Sequence, residues 1–253
     1  MSAEIAARTG ELLALLRERR PRVHCITNSV VQELTANVLL AAGAIPSMTT
    51  SAEEIGHFAA SADALLVNLG TMDGERREAI DIALEVVRDD GIPWVLDPVF
   101  IDRSEPRAEL ARSLAMKEPR IVRANAGEFA ALIGTDAGEE ALDKFALDRI
   151  TVAACTGAVD FVTSGAKRAR IANGHAHMAQ VTGIGCAETA LIAAFVSVED
   201  DEFMAAVAGL LVMGIAGELA AQSANGPGSF SPMLIDSIAA LDAAQIERHA
   251  RFA

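Results

Sequence analysis

The feature that most limits the fold of this chain is an alternation of short apolar runs with longer helical runs between residues 22 and 165. The apolar runs are nearly continuous, as in strands buried on both faces of a parallel sheet. They predict strands at 22–27, 64–70, 93–98, 120–125, 150–155 and 160–165. Helices are predicted at 29–42, 51–60, 74–89, 105–116 and 126–133. The alternation predicts an α/β fold with a central, mainly parallel sheet and helices on both faces.

The last third of the chain has a different pattern, with predicted helices at 186–198, 201–223 and 231–243. The longest apolar run, 203–217, is shorter than the ~20 residues that cross a bilayer, so it predicts a buried helix and no membrane partner. No linker-like composition separates this part from the rest. Residues 1–253 are therefore predicted to form one domain.

Charge and cysteine content limit the partners and the compartment. The net charge is −14, which opposes a phosphate backbone, so nucleic acid is not expected as a partner. A small anionic substrate would need local cations and backbone amides. Three widely spaced cysteines, and an N-terminus without the pattern of a signal peptide, predict a reducing, cytoplasmic setting.

Small or polar residues follow the predicted strands. They include Asn28, Asp97, Asn125 and Thr156. Ligands of open α/β sheets bind at the carboxyl ends of the strands. These residues are therefore candidates for a site at that edge.

The segment VTGIGC, residues 181–186, precedes a predicted helix. Gly183 and Gly185 can leave backbone N–H groups exposed, and a helix N-terminus attracts anions, so Gly183, Gly185 and Cys186 form a candidate anion hole. Cys186 is predicted at the N-cap or first helical position, where the helix end lowers a thiol pKa. The alternative is a glycine turn with Cys186 as a small core residue. The residues alone leave both interpretations open.

Carboxylates at two strand ends are candidate metal ligands. In RANAGEF, residues 123–129, Glu128 either completes a capping box with Asn125 or binds hydrated Mg²⁺. Asp97 either forms an Asp-Pro turn or binds a metal or a hydroxyl group. Arg123 is a candidate cation for phosphate. His175 and His177, predicted on one face of a strand, make an incomplete zinc site, and no zinc is expected there.

Taken together, several segments resemble the hydroxyethylthiazole kinases of the thiamine pathway. The longest is VHCITNSVVQELTANVLLAAGAIPSM, at 23–48. It is followed in order by ALLVNLGTM (64–72), PWVLDPV (93–99), RANAGE (123–128), VTGIGC (181–186) and NGPGSF (225–230). The resemblance covers nearly the whole chain.

The resemblance implies a ribokinase-like fold and transfer of the ATP γ-phosphoryl group to the hydroxyl of 4-methyl-5-(2-hydroxyethyl)thiazole. It also implies Mg²⁺ as cofactor and a homotrimer with active sites between subunits. Met48 and Gly183 would contact the thiazole, and we place Asn28 with them. Arg123 and Thr156 would bind ATP.

Within the same resemblance, Asp97 and Glu128 would lie near Mg²⁺. Cys186 occupies the position where most of the superfamily has an aspartate base. It would position the substrate hydroxyl or accept its proton, and both roles stay open.

Two other functions remain as alternatives. One is an ATP-dependent dehydratase of hydrated nicotinamide nucleotides, which would carry aspartate at position 186 and lack the VHCITN block. The other is a thiazole-binding protein without turnover, which Ile184 in the glycine turn and a short segment at 134–150 suggest.

Overall fold

The structure is a computed structural model that describes residues 2–253, and its centre is an eight-stranded sheet. The strands are β1 (Arg22–Ile26), β2 (Ile45–Ser47), β3 (Ala64–Asn68), β4 (Trp94–Asp97), β5 (Ile121–Asn125), β6 (Val152–Thr156), β7 (Asp160–Thr163) and β8 (Arg168–Ile171). Their order is β2-β1-β3-β4-β5-β6-β7-β8. Pairings from β2 to β6 are parallel, and β7 and β8 are antiparallel. The prediction of a mainly parallel sheet is confirmed.

Helices cover both faces of the sheet. On one face lie α1 (Ser2–Arg19), α2 (Gln32–Ala42), α8 (Ile184–Val196), α9 (Glu202–Ser223), α10 (Pro227–Ala240) and α11 (Ala243–His249). On the other lie α3 (Ile55–Ala60), α4 (Gly74–Asp90), α5 (Glu105–Ala115), α6 (Ala126–Ile133) and α7 (Glu139–Arg149). Alternate strand residues supply the two cores, as Leu66 faces the first layer and Leu65 and Val67 the second.

Each of the six predicted strands overlaps an observed strand, whereas β2 and β8 were not predicted. β2 has three residues and includes Pro46, and β8 alternates arginines with apolar residues. Both lie at the edges of the sheet, where a strand has one neighbour and needs no continuous apolar run. This is why the pattern of buried strands missed them.

Several helices differ from prediction at their ends. The helix predicted at 51–60 begins only at Ile55, and the one predicted at 231–243 is divided into α10 and α11. α1 and α7 were not predicted. α2 ends at Gly43, whose positive φ of 104° is the left-handed conformation common at glycine C-caps.

The long apolar helix α9 lies inside the molecule. By length and composition it could cross a membrane, but 89% of its most apolar stretch is buried within the fold. Both neighbouring helices, α8 and α10, pack against it. The prediction of a buried helix at 203–217 is confirmed.

Candidate active site

The N-terminus of α8 is fixed by a glycine that no other residue could replace without strain. Gly183 is the N-cap and has a φ of +93°. A Cβ atom there would lie 2.6 Å from Val31 Cγ1. Since α8 begins at Ile184, Cys186 is the third helical residue, and the prediction of an N-cap or first position was wrong by two or three residues. The first N–H groups of a helix have no partner within it, so this end can still receive an anion.

A chain of buried polar side chains links Cys186 to the end of β4. Asn28 Nδ2 lies 3.5 Å from Cys186 Sγ and 3.4 Å from Asn68 Oδ1. Asn68 Nδ2 donates to Asp97 Oδ2 at 2.6 Å, and Thr189 Oγ1 donates to the same oxygen at 3.0 Å. We call these five residues the amide–carboxyl chain. The strand ends and the start of α8 bring together residues up to 158 positions apart.

Asp97 is the charged group of this chain. It is fully buried, and its Oδ1 has no hydrogen-bond partner among residues 2–253. Burial raises the pKa of Asp97 to about 7; the positive charge of Arg123 opposes this rise and the negative charge of Glu128 adds to it. A buried carboxylate oxygen without a partner is costly, so Asp97 is suited to receive a cation or a donor from a ligand.

The thiol of Cys186 does not behave as predicted from the helix end. Burial, followed by the negative charge of Asp97, raises its pKa to about 12. The predicted lowering of the pKa is therefore wrong, because desolvation at this depth outweighs the helix terminus. At neutral pH Cys186 presents a neutral S–H group.

Glu128 completes a capping box at the start of α6, as one of its two interpretations predicted. Asn125 Oδ1 accepts from Glu128 N at 2.9 Å, and Glu128 Oε2 accepts from Asn125 N at 3.0 Å. The second oxygen, Oε1, accepts from Phe100 N at 2.9 Å. Both carboxylate oxygens are thus already engaged. Glu128 could reach a cation through water, while Asp97 Oδ1 could bind one directly.

A cavity of about 690 Å³ lies beside the N-terminus of α8. Arg123 and Thr156, both predicted for ATP, line it together with Gly185. Asn28, Met48 and Cys186 are not among its lining residues. Met48 follows β2 and is half-buried against the core of the α8 face. The predicted residues therefore divide between this cavity and the amide–carboxyl chain with its surroundings.

The guanidinium of Arg123 is already paired within the cavity. Its Nε and Nη2 donate to Glu188 Oε2 at 3.1 and 2.7 Å. A Cβ atom at position 185 would lie 2.8 Å from Arg123 Nη1, so Gly185 lets the guanidinium pack against the helix backbone. Although burial lowers the pKa of Arg123, the charges of Glu188, Asp97 and Glu128 raise it overall. Arg123 is a fixed cation.

A second carboxylate, Asp160 at the start of β7, lines the same cavity. Its Oδ1 accepts from Gly157 N at 2.9 Å. Burial, and then the charge of Glu188, raise the pKa of Asp160 to about 7. Burial also raises the pKa of Glu188 itself, against the pull of Arg123. The cavity thus holds two carboxyl groups and one guanidinium in a poorly solvated space.

His175, which lines the cavity, and His177 are not on a strand as predicted. His175 caps a short 3₁₀ helix at Ala176–Gln180, and its Nδ1 accepts from His177 N at 3.2 Å. No group of three or more metal-binding side chains was found among residues 2–253.

Sequence reasoning missed three residues of the site: Asn68, Asp160 and Glu188. Asn68 was hidden because its strand was predicted to continue to Gly70, whereas β3 ends at Asn68. Glu188 lies one turn into α8, among apolar residues. A charged residue on an otherwise buried helix was the available signal for it.

The chain matches known proteins over nearly its full length. The model of the "Hydroxyethylthiazole kinase family" matches residues 13–244. A curated hydroxyethylthiazole kinase from Granulibacter bethesdensis is 47% identical, over 99% of this chain and 96% of that protein.

Solved structures give the same result. A hydroxyethylthiazole kinase from Pyrococcus horikoshii has a TM-score of 0.93 and 37% identity, over 97% of this chain and 98% of that one. A ribokinase-like superfamily protein from Enterococcus faecalis has a TM-score of 0.68, with 88% of each chain covered; at 13% identity it supports the fold alone. The fold is ribokinase-like, and the chain belongs to the hydroxyethylthiazole kinase family.

Proposed function

We propose that this protein is an ATP-dependent kinase that phosphorylates the hydroxyl group of 4-methyl-5-(2-hydroxyethyl)thiazole, in thiamine salvage or biosynthesis. Family membership over nearly the whole chain supports the substrate. One structural observation carries the proposal: a cavity lined by Arg123 and Thr156 reaches the N-terminus of α8 at Gly185, one residue from Cys186. A phosphoryl group can therefore lie between a nucleotide subsite and an acceptor subsite.

The acceptor alcohol is assigned to the side of α8 that holds the amide–carboxyl chain. Met48, Gly183 and Asn28 form the substrate-binding residues of this proposal. Asn28 is already oriented, because its Oδ1 accepts from Val30 N at 3.2 Å. The backbone amides at Gly183, Gly185 and Cys186 form the proposed anion hole for the migrating phosphoryl group.

Cys186 is assigned to positioning the hydroxyl group. Its pKa of about 12 keeps the thiol protonated, so it is poorly suited to accept a proton near neutrality. Phosphoryl transfer depends mostly on positioning and charge stabilisation, and it needs little base catalysis. A neutral thiol is sufficient for that role.

The nucleotide is assigned to the cavity, with Arg123 and Thr156 as its contacts. Mg²⁺ would be held by Asp97 and, through water, by Glu128. The unpartnered Asp97 Oδ1 and the oxygen-only donor set fit a hard cation. When bound, Mg²⁺ supplies positive charge that stabilises the phosphates.

The remaining assignments follow from the family and from the sequence. We propose a soluble, cytoplasmic homotrimer in which residues 1–253 form one domain. The continuous sheet supports the single domain. The acidic net charge of −14 supports the absence of a nucleic-acid partner.

One observation favours a second candidate, a thiazole-binding protein without turnover. Glu188 already neutralises Arg123, the cation proposed for ATP. The dehydratase alternative has no such support, because position 186 carries cysteine and the VHCITN block is present.

The deciding experiment incubates the purified protein with ATP, Mg²⁺ and the thiazole alcohol, and measures ADP release. A reaction without the alcohol gives the background, and Asp97→Asn supplies an inactive comparison. We expect alcohol-dependent ADP release from the wild type. If none exceeds the background while calorimetry shows that the alcohol binds, the binding protein is the better description.

A further inference from the structure

Glu188 lies at the contact between α8 and the nucleotide cavity and has no role in the function proposed above. Its side chain is buried, 5% exposed, and apart from Thr189 the rest of the helix beyond its first turn is apolar. A buried carboxylate on such a surface is rare unless it is paired. Its partner is Arg123, the cation proposed to meet the nucleotide.

The pairing occupies one bidentate edge of Arg123. Guanidinium groups bind oxyanions through two parallel N–H groups on one edge. Glu188 Oε2 accepts hydrogen bonds from both Nε and Nη2 of Arg123. The remaining Nη1 faces the backbone at Gly185. A phosphate that binds through the Nε–Nη2 edge must therefore replace Glu188.

The charges that line the cavity also oppose the binding of a phosphate to Arg123. Asp160 lines the cavity with Glu188, so two carboxyl groups surround one guanidinium. The groups that act on Arg123 or line its cavity come from every neighbouring element: Asp97 of β4, Glu128 of α6, Asp160 of β7, Glu188 of α8 and His175 beside the 3₁₀ helix. An anion entering this space meets more negative than positive charge from the cavity side.

We propose that Glu188 is a positioning residue that sets nucleotide affinity: it holds the Nε–Nη2 edge of Arg123, and a nucleotide binds by displacing its carboxylate. The inference rests on the proposed function, because the cavity must be the nucleotide site. Glu188 is not proposed to touch the reacting atoms. It acts through Arg123 and makes binding weaker than an unpaired guanidinium would allow.

The test measures binding of ATP with Mg²⁺ by calorimetry to wild type and to Glu188→Gln. The amide is isosteric and removes only the charge, so we expect the dissociation constant to fall about three- to tenfold. The KM for ATP should fall in parallel, with the KM for the thiazole alcohol unchanged. The matched control is Glu85→Gln. Glu85 is an exposed glutamate that lines a surface pocket together with Trp94. Trp94 begins β4, so this pocket lies at the amino ends of the strands, opposite the proposed nucleotide site. It should leave ATP binding unchanged.

If Glu188 had a purely structural role, Glu188→Gln would weaken ATP binding. In that case Glu188→Gln lowers the melting temperature and weakens ATP binding together, because Arg123 loses its orientation. Equal or weaker ATP binding in a folded Glu188→Gln protein that still turns over would overturn this inference and leave the proposed function intact. No ATP binding and no turnover in the wild type would overturn both.

A second measurement uses the wild type and does not depend on the folding of a variant. A displaced carboxylate in this poorly solvated cavity takes up a proton, at Glu188 or at its neighbour Asp160. Calorimetry of ATP binding in two buffers of different ionisation enthalpy, at mildly alkaline pH, should therefore show net proton uptake. Zero uptake or proton release contradicts displacement of Glu188.

Discussion

The two sides of the α8 N-terminus differ in how their polar groups are paired. On one side, the amide–carboxyl chain joins one carboxylate to neutral side chains through hydrogen bonds, and leaves Asp97 Oδ1 without a partner. On the other, the cavity pairs a cation with carboxyl groups. The first arrangement holds groups rigidly for chemistry, because buried networks that are nearly satisfied have few alternatives. The second can exchange partners, as ligand binding requires.

The largest effect should come from Asp97, on the rigid side. Asp97→Asn keeps the shape and the hydrogen bonds from Asn68 and Thr189, but removes the charge that would face Mg²⁺. We expect turnover to fall about 10²-fold or more, by analogy with the loss of other electrostatic stabilisers. Alcohol-dependent ADP release measures it, with the exposed Asp136→Asn as the matched control. A loss below tenfold would show that the chemistry does not depend on the amide–carboxyl chain.

The next effect should come from Arg123, on the exchangeable side. Arg123→Ala should raise the KM for ATP about tenfold or more, and that for the thiazole alcohol far less. Because Glu188 is then left buried without a partner, the variant should also lose about 3 kcal/mol of unfolding free energy. Kinetics with each substrate varied in turn, and denaturant unfolding, test the two parts. Equal increases in both KM values would count against a nucleotide role.

A smaller effect should come from Cys186. Cys186→Ala removes one hydrogen-bonding group near the acceptor, so turnover should fall about tenfold with ATP binding unchanged. Cys186→Asp should retain or raise turnover, because an ionised carboxylate can accept the hydroxyl proton, whereas the protonated thiol cannot. Single-turnover kinetics compare the two. Complete loss in a folded Cys186→Asp protein would show that the thiol has a role a carboxylate cannot fill.

The last effect concerns stability against pH and not turnover. Burial raises the pKa of Asp97 to about 7 in the folded protein, whereas the unfolded chain has the ordinary, lower pKa of an aspartate. The free energy of unfolding therefore falls as pH rises from the unfolded pKa to about 7. The wild type should therefore lose stability on going from pH 5 to pH 8. Asp97→Asn should remove about 2–3 kcal/mol of that loss, since about two pH units at about 1.4 kcal/mol each separate pH 5 from the raised pKa, and the exposed Asp136→Asn should remove none. Denaturant unfolding at both pH values measures the difference.

Particular residues show how far sequence reasoning could reach. The alternation of apolar runs predicted six strands, because burial on both faces of a parallel sheet needs continuous apolar residues. It missed β2 and β8, whose edge positions need none. The capping box of Asn125 and Glu128 was also readable, since its partners are three residues apart. Arg123 and Thr156 were assigned to ATP from the family resemblance, and the structure places both in one cavity because they lie on the neighbouring strands β5 and β6.

The sequence by itself determined the class of fold, the family and the strand ends at which polar groups gather, because these depend on local periodicity and on contiguous motifs. Tertiary structure alone decided the pairing of Arg123 with Glu188, the link from Cys186 to Asp97 through Asn28 and Asn68, and the raised pKa of the Cys186 thiol. Each of these depends on distances between residues that are far apart in the chain, and on burial. A linear pattern contains neither quantity.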